Sequence, residues 1–367
     1  MNPAFETNTL STAEKIQRVR KAANDAGVAL RERHPILKHQ DAIGVAILAF
    51  ALAGMAGTAA LYYYSLIAWW MALPVAALFA SLTHELEHDL IHLMYFRKNP
   101  RANAAMMWLV WLARPSTISP FTRRRMHMHH HMYSGTETDL EEQAITNGLP
   151  WGIRRLLMTG DQMLSVYLRP FQMRKLVKSY VKAQNPASKA EYLKLVAEQV
   201  FGYVPLGYLY YILWHGFIVF HAVDLTATAM GAPVAWPAAV LSAMAVVNFL
   251  AVVWLAPNAL RMFCLHFVSS NMHYFGDIEA RNPVQQCQVL TPWWMLPFQL
   301  FCFNFGATHA IHHFVVKEPF YIRQMTARAV YPVMREVGVR FNDIGTFGRA
   351  NRYRQDLQAE SVVAAVA

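Results

Sequence analysis

The chain holds 16 histidines among 367 residues, and most of them stand in spaced groups. His84, His88 and His92 recur at intervals of four. His127, His130 and His131 form an HxxHH pattern, which His309, His312 and His313 repeat. Chance would produce HxxHH about 0.03 times in such a chain, so two copies are a signal. On a helix, residues three and four apart share a face, so each group can aim two or three imidazoles in one direction. Imidazole ligates iron, zinc, copper and nickel. Eight clustered histidines exceed what one ion can use, which predicts two transition-metal ions with coordination positions left open. Asn271-Met-His273-Tyr-Phe-Gly276 adds a ninth imidazole, His273, and an amide, Asn271, that can act directly or through water.

The neighbouring residues divide by role. His92 reads as a tenth ligand, a partner of the ligands or a surface histidine. His129 is expected to point away, and His266 to make an interfacial hydrogen bond. Glu85, Glu87, Asp89, Asp139, Asp277 and Glu279 lie near the groups in sequence, where a carboxylate can orient a ligating ring through its free N–H; each reads equally well as a solvated surface group. His84-Glu85-x-x-His88 is also HExxH, the zinc motif of metalloproteases. An intramembrane protease built on it leaves both HxxHH groups unexplained. A non-catalytic metal transporter would hold its ligands near the bilayer midplane.

The elements that must carry these groups are apolar. The chain is 55% hydrophobic and only 15% charged, against about a quarter charged in soluble domains. Residues 42–64, 66–82, 200–223 and 225–260 carry no charged side chain. About 20 apolar residues cross a bilayer core, so the expected fold is an all-α integral membrane protein with four transmembrane helices in two hairpins. The 33 Lys and Arg all lie outside the short loops after the first and third spans. The positive-inside rule then puts both termini and the middle segment in the cytoplasm. The histidine groups gather in a cytoplasmic cap, since the second span can run on from Leu82 to His92. Residues 1–40 read as an N-terminal cytoplasmic tail without a signal peptide. Its Ser11-Thr-Ala-Glu14 capping box opens a basic amphipathic helix through Ile16, Val19, Ala23, Ala26 and Leu30. Residues 41–316 are expected to form the four-span membrane domain that carries the histidine groups and 317–367 a basic C-terminal tail. Cys264, Cys287 and Cys302, odd in number and without CxxC spacing, read as reduced thiols.

The order HxxxH, HxxHH, an isolated HxxG histidine and HxxHH, on four spans, resembles the membrane fatty acid desaturase/hydroxylase superfamily over roughly residues 40–315. The resemblance implies a non-haem di-iron site, two iron ions with O₂ as co-substrate, that breaks an unactivated C–H bond of a fatty acyl chain. It implies His84, His88, His127, His130, His131, His273, His309, His312 and His313 as ligands. The HELEHDLIH stretch is also similar to membrane decarboxylases that turn free fatty acids into terminal alkenes. Asn271 stands two residues before His273, where stearoyl-type desaturases place the asparagine four before, and His92 and His129 are extra to the minimal pattern. The expected reaction is desaturation, with decarboxylation or hydroxylation as alternatives. The expected setting is a bacterial inner membrane, with lipids and a fatty acyl substrate as partners and no nucleic acid.

O₂ activation needs two electrons, and three scattered cysteines cannot ligate an iron–sulfur cluster. A separate donor, such as a ferredoxin with its reductase, is therefore expected. An acidic carrier would be drawn to Arg123-Arg-Arg125, Lys175, Lys178 and the arginines from Arg323 onward.

Overall fold

The computed structural model describes residues 10–355. Among them the regular structure is helical, with two isolated β-bridges, His273–Cys287 and Val289–Phe341. Side-chain oxygens of Ser11, Asn99, Ser119, Asp139, Asp161 and Ser188 cap six of the helices, accepting from amides that the first turn leaves unpaired.

Helix α1 (Thr12–Arg33) starts at the expected capping box: the Ser11 amide donates to Glu14 Oε2 at 2.7 Å, and the Glu14 amide to Ser11 Oγ at 3.3 Å. Helix α2 (Gln40–Tyr63) and helix α3 (Trp69–Ile91) form the first hairpin around a turn in which Ser65 is left-handed. Helix α4 (Pro100–Ala113) and helix α5 (Pro120–Tyr133) follow. The middle segment folds as helices α6 (Leu140–Ala144), α7 (Ile153–Gly160), α8 (Gln162–Tyr167), α9 (Pro170–Ala183) and α10 (Lys189–Val200). The second hairpin is helix α11 (Leu206–Ala229) and helix α12 (Ala238–Leu250), which runs through a π turn at Ala251–Leu255 into helix α13 (Ala256–Met272). Pro257 explains that turn: it has no N–H to give and its ring crowds the carbonyl one turn back, so the helix widens there. Helix α14 (Leu296–Phe301), helix α15 (Phe305–His312) and helix α16 (Phe320–Glu336) complete the chain.

Three helices are long and apolar enough to cross a membrane: Gln40–Tyr63, Leu206–Ala229 and Ala238–Met272. The expected second span is placed differently. Helix α3 has an apolar first half with exposed Trp69 and Trp70, but every residue from Thr83 to Ile91, five of them ionisable (His84, Glu85, Glu87, His88 and Asp89), is buried against protein. The third span begins at Leu206 rather than Val200, which draws Asp224 into its last turn, where it accepts from Trp236 Nε1 at 2.9 Å. His215 pairs with Asp161 of the middle segment at 2.8 Å and stays outside the histidine groups.

The terminal segments are integral parts of the fold. Val19 and Ala23 of α1 pack with Val330 and Met334 of α16, Val268 and Met272 of α13, and Ile311 of α15 in the largest apolar core. Each such side chain, fully withdrawn from water, contributes about 1.5–3 kcal/mol. Residues 317–355, set apart in the sequence as a basic tail, thus close the molecule beneath the third histidine group. Burial also consumes the basic surface expected there. Arg123 pairs with Glu87 at 2.9 Å and Glu141 at 2.8 Å. Arg323 pairs with Asp89 at 3.1 Å, and Arg124 donates to the carbonyls of Leu90 and Ile91. These cations serve the interior. Lys175 and Lys178 remain on α9, beside Arg174 and Lys182.

Candidate metal centre

Four segments bring the imidazoles together. The end of α3 supplies His88 and His92, α5 supplies His127, His130 and His131, the residue after α13 is His273, and α15 with its C-cap supplies His309, His312 and His313. Turn chemistry fixes their approach. Gly135, two residues past α5, has φ +74°, and a Cβ there would sit 2.3 Å from the Tyr274 carbonyl. Only glycine lets the second histidine segment lie so close to the His273 strand, and the Gly276 amide donates to the Gly135 carbonyl at 2.7 Å.

The rings resolve into two groups, each with its ligand atoms within 4.8 Å of one another: His88, His92, His127, His131 and His312, and His130, His273, His309 and His313. In the first, Nε2 of His131 lies 3.0 Å from that of His127, 3.2 Å from that of His92 and 3.0 Å from that of His312. In the second, Nε2 of His313 and His309 are 3.2 Å apart. The opposite ring nitrogens point outward to acceptors. His127 Nδ1 meets Glu141 at 2.8 Å, His130 Nδ1 meets Asp139 at 3.0 Å, His273 Nδ1 meets the Ser269 carbonyl at 2.9 Å, and His313 Nδ1 meets Gln286 at 2.9 Å. A neutral ring that donates from Nδ1 has a bare lone pair on Nε2. Lone pairs converging at about 3 Å repel one another unless a cation sits among them, as they would around an ion bound at about 2.1 Å. Nε2 of His273 and both nitrogens of His88 are buried without any hydrogen-bond partner. The residues fit two metal ions.

Electrostatics favours the same state. Burial depresses His92 and His273 to a pKa of about 3, keeping them neutral and ready to ligate. For His130, burial opposes protonation but the Asp139 carboxylate outweighs it and lifts the ring to about 9, making it a more basic donor. Burial raises Glu142 to about 8, against the pull of His130. Its Oε1 accepts from Ser269 at 2.9 Å.

Eight of the nine histidines expected as ligands fall in the two groups. His84 falls in neither, and His92 takes the place left in the first. Successive members of the His84, His88, His92 series rotate by about 40°, enough to carry the first ring off the shared centre. Asn271 is turned away: its Oδ1 accepts from Trp151 and its Nδ2 donates to the Phe267 carbonyl. Asp277 caps the amides of Tyr353 and Arg354 at 2.7 Å. Glu85 and Asp89 face Arg323, at 3.6 and 3.1 Å, with Tyr95 and the Phe320 amide also on Asp89. His129 bonds Thr138 and Gln184, away from both groups. Sequence reasoning passed over Glu141, Glu142 and Gln286. The acidic run after the Asp139 cap, within ten residues of the second histidine group, was the available signal for the first two; Gln286 had none.

Two cavities adjoin the centre. An inner chamber of about 60 Å³ is lined by His127, His130 and His309 together with His84, Arg114 and His266. An outer cavity of about 470 Å³, lined by Met163, Val166, Met173, Val177 and Val196, carries Arg174 and Lys178 among its lining residues. Ile118, Met126 and Gln162 line both.

Comparison with curated proteins gave no match. Comparison with family models gave one: residues 64–345 match the family described as fatty acid desaturase. The matched region contains every histidine of both groups and the helices that position them, and the chain therefore belongs to the fatty acid desaturase family.

Proposed function

We propose that the two histidine groups hold two iron ions, five imidazoles on one and four on the other, and that the protein is an O₂-dependent oxidase of a fatty acyl chain. The convergence of nine imidazoles on two points, seven of them buried and His92 and His131 partly so, in a chain of this family, carries the reading. Such a centre supplies a strong oxidant from O₂ and two electrons, able to remove hydrogen from an unactivated carbon. Burial holds eight of the nine imidazoles neutral, Asp139 makes the ninth, His130, more basic, and the chain orients four of them through Nδ1 within buried walls. Removal of two hydrogens from adjacent carbons, with O₂ reduced to two waters, leaves a double bond. A second reading uses the same centre on a free acid. R–CH₂–CH₂–COO⁻, O₂, two electrons and three protons give R–CH=CH₂, CO₂ and two waters. The polar wall of the inner chamber favours this alternative; a hydroxylase would leave one oxygen atom on the chain instead.

We read the molecule as a multi-pass protein of a bacterial inner membrane. Helix α3, its first half apolar and its second half buried against protein, makes a fourth crossing beside the three long apolar helices, and the positive-inside pattern sets the histidines at the cytoplasmic face. Electrons come from a separate acidic carrier. The buried arginines cannot receive it, but a cleft beside α1 has Arg20 and Arg281 among its lining residues and reaches His131 and His313. The full-length protein purified in detergent should contain about two irons per chain. Lipid extracts of a host expressing it should gain unsaturated fatty acids or terminal alkenes by gas chromatography. Activity with zinc alone would end the proposal.

A further inference from the structure

The inner chamber is built for a charged or strongly polar group. Buried polar atoms without a hydrogen-bond partner gather on its walls: both ring nitrogens of His84, Nε of Arg114, Oγ1 of Thr117, Nδ1 of His266 and Oε2 of Glu142. His84 is 1% exposed, and its nearest carboxylate, Glu85, is 3.8 Å away, beyond hydrogen-bonding reach. Buried polar groups are nearly always paired, so a cluster of unpaired ones points to a partner from outside the chain. His84, Arg114, Thr117 and His266 can all donate, which selects an acceptor; Arg114 already pairs with Glu87 and offers its remaining Nε. The chamber's size, room for about four to six water-sized groups, suits a carboxylate and the first carbons behind it. The outer cavity is several times larger and mostly apolar.

We propose that the substrate is a free fatty acid that enters carboxylate first, its head group bound in the inner chamber by His84 with Thr117 and His266, and its tail lying in the outer cavity toward Arg174 and Lys178. This rests on the oxidase reading for its consequence, since it brings the first few carbons after the carboxylate beside His127, His130 and His309. The binding direction itself does not depend on the metals. The reverse seating, with a head group at Arg174 and Lys178 and a methyl end in the chamber, would leave the unpaired donors facing hydrocarbon. It also has little room for a long tail beyond the histidines.

Binding of dodecanoate and of methyl dodecanoate to the full-length detergent-solubilised protein tests the direction. The acid should bind at least about tenfold more tightly than the ester, the usual worth of a hydrogen bond to a charged group. The variant His84→Phe should lose that preference while keeping the ester affinity, and His84→Gln, which retains a donor, should keep part of it. Loss of the preference in Arg174→Ala/Lys178→Ala instead, or in neither variant, overturns the proposal. Should His84→Phe not fold, the wild-type protein decides alone. Dodecanoate with a photoreactive diazirine at its methyl end should label peptides within 163–208. Labelling within 261–269, whose residues line the chamber and not the outer cavity, places the methyl end in the chamber and refutes it. Correct direction with no iron bound would fault the oxidase reading and leave this one standing.

Discussion

The two histidine groups are held in different ways. In the four-membered group, His130, His273 and His313 are each fixed through Nδ1 by a nearby acceptor. In the five-membered group, His127 has Glu141, whereas Nδ1 of His88 and His312 has no partner. The first group is oriented by hydrogen bonds. The second is oriented by the helices, α3, α5 and α15, whose buried faces leave their rings little choice. The difference teaches that ligand count and ligand orientation trade against each other: five rings on rigid helices need fewer outer partners than four rings that include one, His273, on irregular backbone.

That contrast can be broken from either side. The largest effect should follow removal of a ring. His130→Ala or His312→Ala should abolish turnover and lower bound iron from about two to about one, measured by metal analysis on protein that still extracts from membranes; two irons and full activity would refute the grouping. Next comes the scaffold of the five-membered group. Arg323→Met strands Asp89 in the interior, and breaking a buried pair in this way costs about 3–5 kcal/mol. Thermal unfolding should show it, with iron lost chiefly from the five-membered group by Mössbauer spectroscopy. The outer partners should matter less and unequally. Asp139→Asn and Gln286→Leu should each weaken iron binding about 10–100-fold, and Glu141→Gln by less, because its group has four other rings. Equal losses would erase the distinction drawn here. The smallest effect should be that of Ser11→Ala, far from both groups, at about 1 kcal/mol of stability from the lost cap and no change in iron content.

Much of this site was legible in the sequence because its information is local. HxxHH repeats state a helical face without reference to the rest of the chain, and eight of the nine expected rings are in the groups. The exchange of His84 for His92 was not legible, because three histidines at i, i+4 and i+8 are equivalent until the depth of the facing helices is known. Asn271 failed for a related reason: spacing from His273 says nothing about Trp151, more than a hundred residues away, which takes its side chain. The apolar runs gave the hairpins but not the fate of the charges. A run of arginine looks the same in sequence whether it meets water, as a docking face would, or meets Glu87, Glu141 and Asp89 in the interior. Likewise the basic C-terminal segment has the composition of a tail and the periodicity of a packed helix, and burial decides for the helix.

The pairing of α1 with α16 sets a timetable for the making of the protein. Among the described residues, the first helix to be synthesised packs against one of the last, across about 300 residues. A ribosome adding about 5–20 residues per second needs roughly 15–60 s to cover that distance. During this interval α1 waits with its apolar face unmatched, while His88, His92 and His127 to His131 are already translated and His309 to His313 are not. Both groups draw on the last of these segments, so neither can be completed before His309–His313 are made. A nascent chain stalled before Phe305 should therefore hold its first histidines open to whichever metal ion is at hand.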